Sequence, residues 1–403
     1  CSMPTSTLVS CDNAGAIEYD EELVPLADGG IVREALRDEL IPAPPGIVQM
    51  MLPARNPLTT IGPIAERTAF AVALPAGYTR LLLPAYAARR KAPTLPLFGY
   101  TFACAIDDRL YVAAMKTDEG EEWQPRSFTD EFERRIEDRL AAETQNRVLQ
   151  QVALCSRDYG CFTAQNVFLE RGEAALPVSP KCNARCVGCI SEQDDGSVPS
   201  PQARIADETD ARDLAAVAAY HLERVEDGIV SFGQGCEGEP LLRSITIARA
   251  IERIRLQRSN GTINLNTNGS MPDALGRCID AGLQAVRISL NSFRPDVYRA
   301  YYRPQGYELD DVFESVRMAV DRGLRVSLNL LTHPGVTDDF AEVTAMEEFL
   351  GSTSLGMIQT RTLNIDPALY FACVGRPRKP LGMRYALERM RALTSVGNFT
   401  HTH

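Results

Sequence analysis

No stretch of the sequence stays apolar for the roughly 20 residues a membrane-crossing helix needs. The best candidate, from Ala69 to Leu83, is broken by Pro75, Gly77 and Arg80. The first twenty residues lack a basic segment followed by an apolar core, so no secretory leader is expected and a cytoplasmic location is. A basic excess is lacking too: 42 Lys and Arg face 53 Asp and Glu, a net charge of −11. Neither the first 180 residues nor the remainder is a basic module. That argues against a nucleic-acid partner, because a surface that grips phosphates carries a basic face. Repeats and low-complexity tracts are absent. Histidine is scarce, with four in 403 residues. Only His333 falls in a candidate site loop, and a lone histidine of this kind reads as a structural residue.

What is present describes a globular chain. With 45% hydrophobic and 24% charged residues, collagen-like, mucin-like and wholly disordered readings are excluded. Eleven cysteines are an odd number and too sparse for a small disulfide scaffold. They read as reduced thiols, some of them metal ligands.

The pattern divides near residue 175. Residues 1–30 are poorly patterned and acidic, and a loose lead-in is expected. Short strands separated by Pro and Gly follow, including a hairpin turning at Asp107 and Asp108. Thr129 then precedes one long helix, from Glu131 to about Ala153. Residues 1–174 are therefore expected to form an α+β domain, a lid or substrate platform. Residues 175–370 alternate six short β-rich runs with five helical stretches, from Leu176–Ser179 to Met357–Leu363, which implies parallel βαβ units. The expected fold is α/β, a partial (β/α)6 barrel of TIM type, with a helical extension over 371–403. Such sheets place their chemistry at the C-terminal ends of the strands.

After the first strand comes CNARCVGC, with Cys182, Cys186 and Cys189 within eight residues. Soft thiolates suit zinc or an iron–sulfur cluster. A structural zinc site takes four ligands, and no fourth Cys or His lies nearby. The spacing alone leaves zinc or a redox pair open. After the second strand comes GQGCEGEP, Gly233 to Pro240. Its small residues let a ligand approach the backbone, and Glu239 can accept from a ligand ammonium or simply cap a helix. The third strand ends in LNTNG (Leu265–Gly269) and the fourth in RISLNS (Arg287–Ser292). The fifth ends in LNLLTHPG (Leu328–Gly335) and the sixth in QTRTLNID (Gln359–Asp366). One polar strand end is ordinary turn chemistry. Polar ends on all six suggest a polar floor for a hydroxyl-rich, charged ligand.

This ordered set, over roughly Ala175 to Asp366, resembles the radical S-adenosylmethionine (radical SAM) superfamily. The CxxxCxxC run is followed by a GEP motif, an N-T-N-G third strand and an S-L-N fourth strand. Glu239 lies 50 residues after Cys189, Asn268 lies 29 further on, and Ser289 a further 21. One departure is that many relatives read G-G-E-P where this chain has G-C-E-G-E-P, leaving Cys236 and Glu237 without an obvious counterpart. The resemblance implies an enzyme with a [4Fe-4S] cluster on Cys182, Cys186 and Cys189, its open iron chelating S-adenosylmethionine. One electron would split the cofactor to a 5′-deoxyadenosyl radical, which abstracts hydrogen from a small metabolite or a peptide. A flavodoxin- or ferredoxin-type protein would donate the electron. Gly238 and Glu239 would meet the cofactor, Glu239 at its ammonium. Asn266, Ser289 and Asn291 would meet its ribose or carboxylate, preferred over Thr267 and Leu290 by strand alternation. Asn329 would lie near the adenine. Arg361 and Cys236 are the candidate catalytic residues: Arg361 to grip a carboxylate or phosphate, and Cys236 to donate hydrogen or carry a methyl group. Arg303, with Tyr301 and Tyr302, reads sooner as packing. The alternatives are a non-catalytic iron–sulfur or zinc-binding protein and an RNA-modifying radical SAM methyltransferase.

Overall fold

A computed structural model of the protein describes residues 6–12, 14–118, 129–193, 198–258 and 260–398. Its centre is one parallel sheet. The strands are β1 (Glu173–Leu176), β2 (Ile229–Phe232), β3 (Thr262–Thr267), β4 (Ala285–Leu290), β5 (Arg325–Thr332), β6 (Met357–Thr362) and β7 (Ser395–Gly397). They lie side by side in chain order, each parallel to its neighbour. β2 is buried along its whole length, as a parallel strand covered on both faces must be. Helices fill the crossovers: α1 (Ala211–Arg224), α2 (Ser244–Gln257), α3 (Pro272–Asp280), α4 (Pro295–Tyr302), α5 (Leu309–Asp321) and α6 (Phe340–Ser352). Two more, α7 (Pro367–Val374) and α8 (Met383–Leu393), lie between β6 and β7. Their starts are written locally. Asp210 caps α1 by accepting from the amides of Arg212 and Asp213, and proline opens α3, α4 and α7, where its missing N–H costs nothing.

The sheet is curled. Arg287 on β4 makes a bidentate pair with Glu173 on β1, at 2.8 and 2.7 Å. Three strand spacings of roughly 4.8 Å would hold these backbones about 14 Å apart in a flat sheet, beyond the reach of the two side chains. The inner face is therefore concave.

The α/β class and the parallel sheet follow the sequence, with corrections. Among the described residues this sheet has seven strands rather than six; β7 is three residues long, too short for an apolar run to reveal it. β1 begins three residues earlier than expected because Glu173, which reads as a loop charge, is an interior residue. The lead-in is not loose throughout: Leu8–Cys11 is a fully buried strand pairing with Ile17–Asp20 and Thr68–Ala73. The long helix is two, Asp130–Ala142 and Arg147–Asp158, because Asn146 caps the second by accepting from the Leu149 amide. The hairpin turns at Asp107 and Asp108, both at positive φ, the geometry that matches strand twist. The last five residues of the expected C-terminal extension lie outside the described set.

Residues before 119 form small antiparallel sheets that pack along β6. Thr79 and Thr360 share a 2.7 Å hydrogen bond. Arg80, fully buried, donates to the carbonyls of Tyr100 and Leu363. Arg55 pairs with Asp366 at 2.9 Å, both side chains 3% exposed, and Asp366 also caps α7. One continuous apolar core runs from Leu81–Leu83 and Phe102 into the curled sheet.

Candidate functional site

A cavity of about 510 Å³ opens at the C-terminal ends of β1 to β6, within the range of small-molecule sites. Cys182, Cys186 and Cys189 all line it, as do Gly238, Glu239, Asn266, Ser289, Asn329 and Arg361. Among the described residues, its lining comes entirely from residues 182–364.

The loop carrying the thiols is held from two sides. The amides of Arg185 and Val187 donate to the carbonyls of Tyr302 and Tyr301 at the end of α4, so the two tyrosines back the loop. Both line the cavity, and the buried Tyr302 hydroxyl has no hydrogen-bond partner among the described residues. On the other side, the amides of Gly238 and Glu239 donate to the carbonyls of Ser179 and Lys181. A Cβ on Gly238 would lie 2.1 Å from the Lys181 carbonyl oxygen, so only glycine allows this approach. Gly238→Ala is expected to push the two loops apart, costing roughly 1–3 kcal/mol of stability and more than half of the iron the protein can hold, read by thermal melts and iron analysis.

The carboxylates of the GQGCEGEP loop are both buried. Glu237 accepts from the amides of Val178, Ser179 and Gln234 at 2.7–2.8 Å, stitching the loop to the end of β1; burial pushes its carboxyl up to about 8. Glu239 accepts from the Leu241 amide, the Thr267 hydroxyl and the Asn268 amide, and burial pushes it up to about 7. It therefore caps the turn that starts at Pro240 and faces the cavity at once. Gly233, at positive φ, packs where a Cβ would sit 1.8 Å from the Asn266 carbonyl oxygen.

Burial and neighbouring charge raise two of the cluster-loop thiols. Cys182 rises to about 11, through burial and then Glu239. Cys186 rises well above the ordinary thiol value, through burial and then the two neighbouring cysteines. Among the described residues, no three His, Cys, Asp or Glu side chains converge as a single ion would require. A cluster asks for something else. It takes each thiolate on a different iron, so the sulfurs must ring a cavity rather than meet at a point. Three thiols on one polar cavity wall fit that demand, and they fit a tetrahedral zinc site poorly.

The structure sorts the remaining candidates. Asn266 donates to the Gly233 carbonyl at 2.7 Å. Asn329 accepts from Arg361 at 3.3 Å, and Arg361 also donates to Gln359 at 3.3 Å; burial lowers the Arg361 guanidinium to about 10. Two expected site residues lie off the cavity lining. Asn291 follows the end of the β4 pleat and turns inward to donate to the Tyr370 hydroxyl. Cys236 is buried beside Cys155, a residue 81 positions away in sequence that no local pattern could pair with it. Thr267, passed over by alternation, lines the cavity through its bond to Glu239. His333 is fully buried: its Nδ1 donates to the Pro334 carbonyl and its ring packs on Tyr370 and Phe371. Arg303 ends α4 at positive φ and faces a small cleft on the outer side of the thiol loop. Arg287 and Gln359 were missed although each alternates with a chosen residue, Ser289 and Arg361.

A curled parallel α/β sheet with three thiols and a buried carboxylate at its C-terminal edge defines a cluster-binding class of site. Residues 176–346 match the family model described as the Radical SAM superfamily, so the chain carries a domain of that superfamily. It is a superfamily of enzymes that use a [4Fe-4S] cluster and S-adenosylmethionine. The FeMo cofactor biosynthesis protein NifB of Klebsiella pneumoniae is 24% identical over 242 residues, 57% of this chain and 51% of that protein. A GTP 3',8-cyclase of Streptomyces coelicolor is 30% identical over 168 residues, 41% of this chain and 46% of that protein. A solved radical SAM methyltransferase from Sphaerobacter thermophilus aligns with a TM-score of 0.41 at 17% identity, over 56% of this chain and 65% of that one. The chain spans about half the length of the curated relatives it matches.

Proposed function

We propose that this chain is a catalytically active radical SAM enzyme acting on a small polar metabolite or a peptide. The observation that carries it is the shared cavity: three thiols, a buried glutamate and polar strand ends face one space at the C-terminal edge of a parallel sheet. Cys182, Cys186 and Cys189 would hold the cluster. When bound, cluster and S-adenosylmethionine supply a one-electron cleavage that yields a carbon radical able to abstract hydrogen. The chain's own residues bind, orient and shield. Glu239, already fixed by three donors, presents its carboxylate to a ligand ammonium, and Gly238 leaves room beside it. Asn266, Ser289 and Asn329 offer hydroxyl and amide partners from successive strands, while Asn291 supports that wall from behind through Tyr370. Arg361 gives the substrate side a cation for a carboxylate or phosphate. We read the curled sheet as a partial TIM-type barrel and the residues before 175 as a cover along β6 that helps exclude water. An external one-electron donor protein completes the system.

The test is anaerobic reconstitution. The protein is expected to hold about four irons and four sulfides per chain and, with S-adenosylmethionine and dithionite, to release 5′-deoxyadenosine. A fully loaded protein that releases none would overturn the reading in favour of a non-catalytic scaffold.

A further inference from the structure

One cation reaches the thiol loop from outside its motif. Arg204 lies fifteen residues beyond Cys189, and its backbone is wedged between two functional loops. The neighbouring Gln202 amide donates to the Ile190 carbonyl, and the Ile205 amide donates to the Cys236 carbonyl. Its side chain is 13% exposed, and all three guanidinium nitrogens are used. Nε donates to the Ser191 hydroxyl at 3.2 Å, Nη1 pairs with Glu192, and Nη2 donates to Cys189 Sγ at 3.5 Å. Ser191 Oγ lies 3.6 Å from the same sulfur. A structural arginine would need only its carboxylate; this one is aimed at a sulfur.

We propose that Arg204 is a positioning residue that tunes the metal centre, its guanidinium donating to the Cys189 thiolate and favouring the reduced cluster. This rests on the cluster assignment above and adds to it a residue that no motif contains. The physics is direct. Reduction adds one electron, supplied here by dithionite, and therefore one negative charge; no bond forms or breaks. A fixed positive charge and an N–H···S hydrogen bond both stabilise that added charge, and hydrogen bonds to sulfur and net charge are what set such potentials. Glu192, half exposed at 56%, partly offsets the guanidinium from the solvent side. The two residues should therefore act with opposite signs, an outcome that a purely structural pair would not give.

The experiment is a dithionite titration of reconstituted holoenzyme, followed by the electron paramagnetic resonance signal of the reduced cluster. Arg204→Gln is expected to make reduction at least tenfold less favourable, about 59 mV for one electron. Arg204→Lys, which keeps the charge but loses the fork geometry, should fall between it and the natural protein. Glu192→Gln should shift the equilibrium the other way, by a smaller factor. An Arg204→Gln protein with intact iron content and a reduction equilibrium within twofold of the natural one would overturn the proposal. So would both substitutions shifting it in the same direction. Should Arg204→Gln fail to load iron, Glu192→Gln decides alone: easier reduction supports the proposal, and no change or harder reduction overturns it. A natural protein that binds no four-iron cluster would instead defeat the functional reading itself.

Discussion

Cys186→Ala is expected to leave a folded chain that holds less than a tenth of the natural iron and releases no detectable 5′-deoxyadenosine. A three-thiol site has no spare ligand, and among the described residues the cavity lining holds no further Cys or His. Cys186 lines the cavity together with Cys182 and Cys189. Burial and two neighbouring thiols hold its sulfhydryl well above the ordinary range, so without metal it is a neutral thiol and the substitution removes little charge. The fold should accordingly survive, with a stability loss of about 1 kcal/mol. Cys278 provides the control. It is fully buried in α3 and its thiol reaches the Ser244 carbonyl. Cys278→Ala should lower the melting temperature by a similar amount while keeping the iron. Equal iron loss in both variants would show that the effect is one of folding and would remove Cys186 from the ligand set.

What the sequence reveals here follows from the range of each interaction. The βα rhythm is local, so the pattern that predicts helices over Pro272–Ala281 and Asp310–Arg322 and a strand over Ala285–Leu290 meets α3, α5 and β4 within one residue at each end. The three cysteines are legible because they sit within eight residues of each other, and Glu239 because glycines and proline surround it. Asn266, Ser289 and Asn329 reach the cavity wall because alternation holds along the body of each strand; at the last residue of β3 it already fails, since Thr267 reaches the cavity too. Asn291 shows where that rule stops: the strand ends at Leu290, and beyond it the backbone no longer alternates. The remaining misses are long-range. Cys236 answers to Cys155 in the N-terminal region. Arg204 is placed by backbone hydrogen bonds of its neighbours, from the Gln202 amide to Ile190 and from the Ile205 amide to Cys236, 12 and 31 residues away. Glu173 and Arg287, 114 residues apart, look in sequence like a loop charge and an interruption of an apolar strand. Only the curl of the sheet makes them one feature.

That pair carries the second large effect. Glu173→Gln is expected to destabilise the protein by roughly 3–5 kcal/mol. Both side chains are at most 10% exposed, and Glu173 also offsets the nearby Arg361 guanidinium. Loss of the carboxylate leaves buried positive charge without its bidentate partner, and the Arg287 Nε already has no partner among the described residues. The pair itself contributes far less than its breaking costs, because bringing both ions out of water offsets most of their attraction. Glu173→Leu combined with Arg287→Met should therefore recover most of the lost stability in denaturant melts. A double variant as unstable as Glu173→Gln would show that the pair is itself a net stabiliser. The pH dependence has a definite sign. Although burial opposes it, the Arg287 charge holds the Glu173 carboxyl below its ordinary value. A group depressed in the folded state contributes stability above its unfolded value, near 4.3, and loses it as pH falls through the folded one. The natural protein should lose stability steeply in acid, and Glu173→Gln should show a shallower acid limb from a lower starting point. Because Arg287 also lines the cavity and donates to Asn266 at 3.2 Å, the single variant should weaken S-adenosylmethionine binding as well, and the apolar double variant should not restore that binding along with the stability.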